Sequence, residues 1–351
     1  MRNQFRPYLL DLPFEELKQA VIDLGEPAYR ATQVWQGIYQ QLWPALDQFT
    51  NLSKTLREKF AAQYDLAALK PVRTLESQDF LTQKLLFHLR DNLPIEAVLM
   101  RYQNRQTLCI SSQSGCPMGC VFCATGQMGF RRNLTSGEII EQVLYFARIL
   151  KTEGLPVTNI VLMGMGEPFL NYDAALGAID RLNDPSGYNF GARRFTISTV
   201  GVVPGIRRFT RENRQVNLAI SLHAANDELR TSLLPINKKY PIAELMDACR
   251  EYVAITNRRI TFEWALIQDV NDSAAHAQEL AHLVKGMLCH VNVIPLNPTH
   301  HYAGAPTTHQ RAEAFQTELE RYGIPCTIRL RRGIEIQAGC GQLASEENPV
   351  I

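Results

Sequence analysis

The chain has 351 residues, 46% of them hydrophobic and 20% charged, with 36 Lys and Arg against 35 Asp and Glu. That balance excludes a disordered, fibrous or strongly polyelectrolyte protein and leaves nucleic acid neither favoured nor disfavoured by net charge. A chain of this length buries enough surface to fold without disulfide staples, so its eight cysteines serve another purpose.

The opening stretch MRNQFRPYLLDLPFEEL carries charges where a secretion signal needs an apolar run. No segment reaches the roughly 18 apolar residues of a membrane span. The expectation is a cytosolic protein with no membrane partner, in which thiols stay reduced and clustered cysteines act as metal ligands or catalytic groups. Helical patterning covers Pro13 to Leu24, Ala28 to Leu42 and Leu52 to Tyr64, and Lys84 to Tyr102 reads as a hairpin turning on Asp91 and Asn92. Residues 1–90 are therefore expected to form a small helical N-terminal accessory domain, with a linking hairpin to about residue 102.

From about residue 103 to 335 short β runs alternate with helix-length segments. The β runs are Gln106 to Ser112, Asn159 to Gly164, Phe195 to Val200, Val216 to Ser221, Ile260 to Ile267, Cys289 to Leu296 and Cys326 to Leu330. Between the first two, Thr135 and Glu138 have capping-box spacing ahead of a helix over Ser136 to Lys151. Such alternation predicts a parallel sheet with crossover helices. Several strands are apolar on one face and carry Thr196, Ser198, Asn217, Ser221, Thr261 and Glu263 on the other. A doubly covered open sheet favours continuously apolar strands, so the pattern points instead to an α/β fold whose polar face lines a lumen. The predicted architecture is a partial, splayed (β/α)6 barrel, followed over residues 336–351 by a C-terminal loop carrying Cys340. Gly- and Asn-rich turns directly follow the strands, at the end where β/α barrels place their chemistry.

Cys116, Cys120 and Cys123 form a C-x3-C-x2-C run in the loop after the first barrel strand. Three thiolates so close together can wrap one metal centre. Structural zinc asks for four ligands, usually as two Cys-x-x-Cys pairs, and no matching second pair exists; three thiolates on a four-iron cluster leave one iron open for a ligand. Phe122 could cover a bound adenine. A structural metal clip stays as the alternative at this point. Cys109, alone in a strand, reads equally as a small buried hydrophobe. Cys340 sits between Gly339 and Gly341, which permit close backbone approach to a site. Glu96, on the hairpin, has a solvated strand carboxylate as its bland reading. Cys249, Cys289 and Cys326 fall in helix or strand patterns and carry no assigned role.

The cysteine run on a partial β/α barrel resembles the radical S-adenosylmethionine superfamily. Within it the chain resembles the RlmN type of dual-specificity rRNA and tRNA adenine C2 methyltransferases, from about Tyr29 to Ala344. The residues carrying the likeness are Ile95 to Met100, Leu108 to Gln113, Cys116 to Phe130, Arg132 to Thr135, Met163 to Pro168, Leu234 to Tyr240 and Ala338 to Leu343. That resemblance implies one 4Fe-4S cluster on Cys116, Cys120 and Cys123, and two molecules of S-adenosyl-L-methionine per turnover. Gly166, Glu167, Ser198, Ser221, Leu222, His223 and Asn297 become candidate cofactor contacts.

The resemblance further implies that Cys340 carries a methyl group as S-methylcysteine, that Cys109 forms a transient disulfide with it, and that Glu96 is the proton acceptor. The implied substrates are adenosine 2503 of 23S rRNA and adenosine 37 of certain tRNAs, with a flavodoxin or ferredoxin as electron donor to a monomer. An adenine C2–H has no lone pair to attack a methyl sulfonium, which is why a radical route through a nucleophilic thiol is needed. The nearest rival is the chloramphenicol-florfenicol resistance type, which shares these residues and methylates C8 of the same base. Departures from the family pattern are Ser77 to Thr82 in place of a more glycine-rich hairpin, Glu335 where aspartate is commoner and Gly339 where alanine is.

Overall fold

The computed structural model describes residues 5–329 and 331–344. Leu330, the expected end of the last barrel strand, and residues 345–351 of the expected C-terminal loop lie outside the described residues. Among those described, no helix is long and apolar enough to cross a membrane.

Three helices open the chain, Phe14–Asp23, Tyr29–Tyr39 and Lys54–Gln63, each within a few residues of its expected bounds. Their apolar stripes bury Leu17, Val21, Val34, Trp35, Ile38, Leu56 and Phe60, the pattern of helices that gain stability from packing on one face. Tyr8, ahead of the first helix, donates its hydroxyl to Glu141 on the helix Ser136–Thr152. Glu141 also accepts the backbone N–H groups of Ala68 and Leu69, so this carboxylate joins both ends of the helical segment to the next layer.

The strands are β1 Lys70–Glu76, β2 Thr82–His88, β3 Pro94–Tyr102, β4 Arg105–Cys109, β5 Gln113–Gly115, β6 Phe130–Asn133, β7 Asn159–Leu162, β8 Phe195–Thr199, β9 Asn217–Ser221, β10 Ile260–Leu266, β11 Cys289–Pro295 and β12 Cys326–Ile328. One ten-stranded sheet runs β1-β2-β3-β4-β7-β8-β9-β10-β11-β12, while β5 and β6 form a separate ribbon. From β4 through β12 all pairings in the large sheet are parallel; β1 to β4 pair antiparallel. The expected partial barrel is therefore present, and the hairpin before it extends the same sheet. β1 has no counterpart in the sequence reading because its residues are largely exposed and lack strong alternation.

The crossover helices cover the outer face. Ser136–Thr152 starts at the expected capping box, with Thr135 accepting from Glu138 N–H and Glu138 accepting from Thr135 N–H. Phe195, Ile197, Leu218, Ile220, Phe262, Trp264, Val291 and Val293 are fully buried under these helices. Thr196, Asn217 and Thr261 line one interior cavity, Ser198 and Ser221 another, and Glu263 both, so the alternation along the strands does divide a dry outer face from a polar lumen.

The sheet does not close on itself: β12 ends one side and β1 the other. The segment after β12 crosses that gap. Gln78 N–H on the hairpin reaches Glu335, and Lys84 Nζ on β2 reaches the carbonyl of Gln337. Two of the departures from the family pattern, the Ser77 to Thr82 turn and Glu335, thus meet each other in space.

Candidate active site

The lumen has two regions. One, about 170 Å³, lies at the carboxyl ends of the strands and is lined by Cys116, Cys120, Cys123, Phe122, Gly166, Glu167, Ser198, Ser221, His223 and Asn297 among others. The other, about 790 Å³, runs toward the amino ends and includes Cys109. They share Cys123, Met163, Glu263, Asn297, Arg329 and Cys340 in their walls, so Cys340 stands where the two meet.

The cysteine loop is set by backbone geometry. Gly115 has φ +71°, and a Cβ there would lie 1.9 Å from the carbonyl oxygen of Gly129. The Cys116 N–H donates to that same carbonyl. Cys123 precedes a single helical turn, Ala124–Gln127, and Ala124 N–H and Thr125 Oγ1 bond the carbonyls of Gly341 and Leu343. The loop that holds the three thiols is therefore bonded directly to the loop that holds Cys340.

Burial pushes the Cys116 thiol up to about 12, and raises Cys120 and Cys123 as well, with the neighbouring thiols adding to the effect. Thiols in such a site ionise only when a cationic centre binds them. Among the described residues no three His, Cys, Asp or Glu converge as ligands of a single ion. Cys116, Cys120 and Cys123 all line the smaller cavity, and three thiolates around one space suit a multi-iron cluster. The donor set thus fits a 4Fe-4S cluster with one iron left for an exchangeable ligand.

The candidate cofactor contacts are brought together with one exception. Gly166 has φ +103°, and a Cβ would lie 2.6 Å from Gln113 Cβ, so the turn after β7 requires glycine. Burial raises the Glu167 carboxyl to about 7, yet its two oxygens already accept Phe169 N–H and Val200 N–H. Glu167 therefore ties the β7 turn to the end of β8 as well as facing the cavity. Ser198 and Ser221 oxygens lie 3.4 Å apart on adjacent strands.

His223 sits in the left-handed region at φ +59°, and its Nδ1 accepts Ala265 N–H. Burial, helped by Arg230, lowers its pKa to about 3, so the ring is neutral with its proton on Nε2. Phe122 packs edge-on against it, ring centroids 5.0 Å apart. Asn297 Nδ2 donates to the Cys340 carbonyl. A Cβ on Gly339 would lie 2.6 Å from that nitrogen, so glycine here gives Asn297 its approach. Leu222 is the exception: fully buried, it lines neither cavity.

Cys109 ends β4 with its thiol in the larger cavity, where burial and Cys340 push it up to about 12. Cys340 is reached by solvent through the lumen. Burial raises its thiol, and Arg329 opposes that rise. Glu96 lies on β3, two residues before Val98, the register partner of Cys109. Its side chain is 2% exposed and lines neither cavity; it pairs with Lys84 at 2.9 Å and accepts Ala344 N–H at 3.0 Å.

Two residues had no signal distinguishing them in sequence. Arg230, fully buried on the short helix Asp227–Leu233, donates to the carbonyls of Val200 and Leu222 at the ends of β8 and β9, and to Asn237. Arg329 stands by Cys340 and pairs with Glu263. Asn237 lies inside the Leu234 to Tyr240 motif, which is the one clue that pointed toward this corner.

Known proteins bear on the same residues. The radical SAM superfamily matches residues 110–281, and the ribosomal RNA large subunit methyltransferase N-terminal domain matches residues 8–66. Fold and site thus define a radical S-adenosylmethionine enzyme, a superfamily whose members use a 4Fe-4S cluster and that cofactor. The dual-specificity RNA methyltransferase RlmN 1 of Myxococcus xanthus is 48% identical, covering 95% of this chain and 93% of its own, and the probable dual-specificity RNA methyltransferase RlmN of Chloroflexus aurantiacus is 45% identical, covering 97% and 93%. The crystal structure of a radical SAM methyltransferase from Sphaerobacter thermophilus superposes with a TM-score of 0.95 at 50% identity, over 97% of this chain and 100% of that one. The chain belongs to the RlmN family of dual-specificity RNA methyltransferases. It is an enzyme that methylates RNA.

Proposed function

We propose that the enzyme methylates C2 of adenosine, at position 2503 of 23S rRNA and position 37 of tRNAs, through a methyl group carried on Cys340. The observation that carries this reading is the placement of Cys340: it borders both the cavity of the three cluster cysteines and the cavity of Cys109. A thiol there can meet a methyl sulfonium on one side and an adenine on the other.

When bound, the cluster and S-adenosylmethionine supply a 5'-deoxyadenosyl radical. Cys340, once its proton is lost to solvent, attacks as thiolate the methyl carbon of one S-adenosylmethionine; the new S–CH3 bond forms as the methyl–sulfonium bond breaks, and S-adenosylhomocysteine leaves. Arg329 favours that thiolate. In a second step the S-methyl group gives up one hydrogen atom, and its carbon bonds to C2 of the adenine. The adduct then loses one electron, which the oxidised cluster would take back, and the C2 proton; Glu96 is the proposed acceptor of that proton, and because it lies behind the cavity wall on its pair with Lys84, it has to leave that pair to act. Cys109 thiolate attacks the Cys340 sulfur; the S–C bond breaks, the carbon is protonated to the product methyl, and a Cys109–Cys340 disulfide is left for cellular reductant to clear. A flavodoxin or ferredoxin supplies the reducing electron, the helical N-terminal segment helps grip folded RNA by its shape, and the enzyme works as a monomer.

The test uses anaerobically reconstituted enzyme and S-adenosylmethionine labelled in its methyl group. Label on Cys340 before any RNA is added, and its loss in Cys340→Ala, are expected. Mass spectrometry of the modified RNA then assigns the carbon, since methyl at C8 places the enzyme with the resistance type. Label absent from Cys340 while RNA is still methylated refutes the mechanism.

A further inference from the structure

Six arginines line the larger cavity: Arg105, Arg258 and Arg259 at the end away from the cluster, Arg332 beside Arg105 on Tyr102, and Arg329 and Arg331 toward the smaller cavity, which Arg329 and the Arg331 partner Leu296 also line. Arg105 begins β4, and Arg258 and Arg259 immediately precede β10, so this mouth opens at the amino ends of the strands. Asn159, Thr196, Asn217 and Thr261, also at those ends, share the wall, and Glu263 is its sole carboxylate among the described residues. In a chain whose total charge is +1, six cations against one anion around a single cavity is a strong local polarisation.

What holds these arginines in place is telling. Arg329 pairs with Glu263, but no ion pair engages the other five among the described residues. Arg105 and Arg332 both stack on the ring of Tyr102, at 4.2 and 4.5 Å from its centroid. Arg258 is oriented by the amide oxygens of Gln215 and Asn217, and Arg331 reaches the carbonyl of Leu296. Aromatic and neutral oxygen partners position a guanidinium while leaving its charge uncompensated. Several arginines elsewhere differ: Arg101, Arg132, Arg208, Arg214 and Arg311 are paired with carboxylates.

We infer that this mouth is where RNA enters, with Arg105, Arg258, Arg259, Arg331 and Arg332 holding the phosphates that flank the extruded adenosine while the base passes up the lumen toward Cys340. The inference rests on the RNA methyltransferase reading and adds the route and the residues. A cavity of about 790 Å³ falls in the range that accepts a nucleotide-sized group. The smaller cavity lies at the opposite strand ends, so on this inference nucleic acid and S-adenosylmethionine meet Cys340 from different sides.

The test measures binding of an RNA hairpin with an unpaired loop adenosine to the reconstituted holoenzyme across a salt series. Three phosphate contacts to single-stranded RNA steepen the salt dependence by about 2 in log–log slope, so R105Q/R259Q/R331Q should lose about twentyfold less affinity than the parent between roughly 50 and 200 mM salt. Its affinity at low salt should fall by about tenfold or more. The lysine triple R105K/R259K/R331K should keep most of the slope, which separates charge from folding. The same charge change on the outer helices, R207Q/R211Q/R250Q, should leave the slope alone. A glutamine triple with the parent's slope, or an outer triple with an equal effect, overturns the mouth while leaving the methyltransferase reading intact. A parent enzyme that neither binds nor methylates the hairpin overturns both.

Discussion

Lys84→Met is the substitution that most directly probes how Cys340 is held. Lys84 and Glu96 side chains are 8% and 2% exposed, and they pair at 2.9 Å. Lys84 also donates to the carbonyl of Gln337, and Glu96 accepts from Ala344 N–H, so one buried pair anchors the Cys340 loop three residues before and four residues after the thiol. Removing the lysine takes away the positive charge 2.9 Å from a buried carboxylate, a loss of about 3–5 kcal/mol. Glu96→Gln keeps an oxygen for Ala344 N–H but leaves the ammonium buried, and should cost a similar amount. The double variant removes both charges at once, so the two losses should fall short of adding by about 2 kcal/mol or more. Denaturant midpoints of the four proteins give the coupling, and the rate of methyl transfer to Cys340 without RNA reports the loop. Lys84→Met should slow that transfer by at least about tenfold, because a misplacement of about 1 Å can cost a hundredfold. Coupling below about 0.5 kcal/mol would show that the two residues act independently, and the anchoring argument would fail.

Three further expectations follow from neighbouring contacts. Burial raises Glu141 from 4.5 to about 7, so the folded protein retains a proton that the unfolded chain gives up; the stability this confers is full below about pH 4.5 and is lost as pH climbs to about 7. The difference is worth about 3 kcal/mol, and Glu141→Gln should flatten that part of a stability–pH profile measured by urea midpoints; an unchanged slope counts against it. Phe122→Ala should weaken S-adenosylmethionine binding by about tenfold, through lost ring contact, with iron content unchanged; equal affinity would mean that the ring does not cover the ligand. Cys109→Ser should still accept methyl on Cys340 and still join RNA, but release none, giving a protein–RNA adduct that survives denaturing electrophoresis. Free methylated RNA from this variant would remove Cys109 from the release step.

The barrel was legible because its signals are local. Alternation in Phe195–Thr199 and Asn217–Ser221 follows from a dry outer face and a wet inner one, and Thr135 with Glu138 marks a helix start within four residues. The grouping of Cys116, Cys120 and Cys123 was legible for the same reason, since the three lie in one loop and line one cavity. Glu167 was half-legible: its turn placed it at the cofactor end, but its bonds to Phe169 and Val200 join segments that are 33 residues apart at the farthest. Lys84, Arg230, Arg329 and Arg105 were not legible, because each draws its meaning from partners distant in the chain, and Arg258/Arg259 and Arg331/Arg332 stood out only as basic pairs that scattered solvated charge explains equally well. Arg105 and Arg332 share one tyrosine face to face across more than two hundred residues, and no pattern in either neighbourhood announces it.

The Cys340 loop is the extreme of that dependence. Gly333, Gln337 and Gly341 have φ of +60°, +52° and +81°, so the backbone turns through the left-handed region three times within nine residues. Only glycine takes that conformation freely, and Gln337 takes it against its own preference. No helix or strand ladder fixes the segment. Its shape comes from its own turns, Gln337 N–H to Ile334, Ala338 N–H to Gly333 and Gln342 N–H to Gly339, and from groups contributed by other elements: Lys84 on the Gln337 carbonyl, Asn297 on the Cys340 carbonyl, Ala124 and Thr125 on the carbonyls of Gly341 and Leu343, and Glu96 on Ala344 N–H. On the proposed route the Cys340 thiol takes a methyl group at one cavity and later pairs with Cys109 in the other, which a rigid strand would not allow. A segment held by separate single hydrogen bonds can change partners one contact at a time, which a strand ladder cannot. Two of those contacts come from the turn that follows Cys123 in the cluster loop, so filling the cysteine site bears directly on where Cys340 stands.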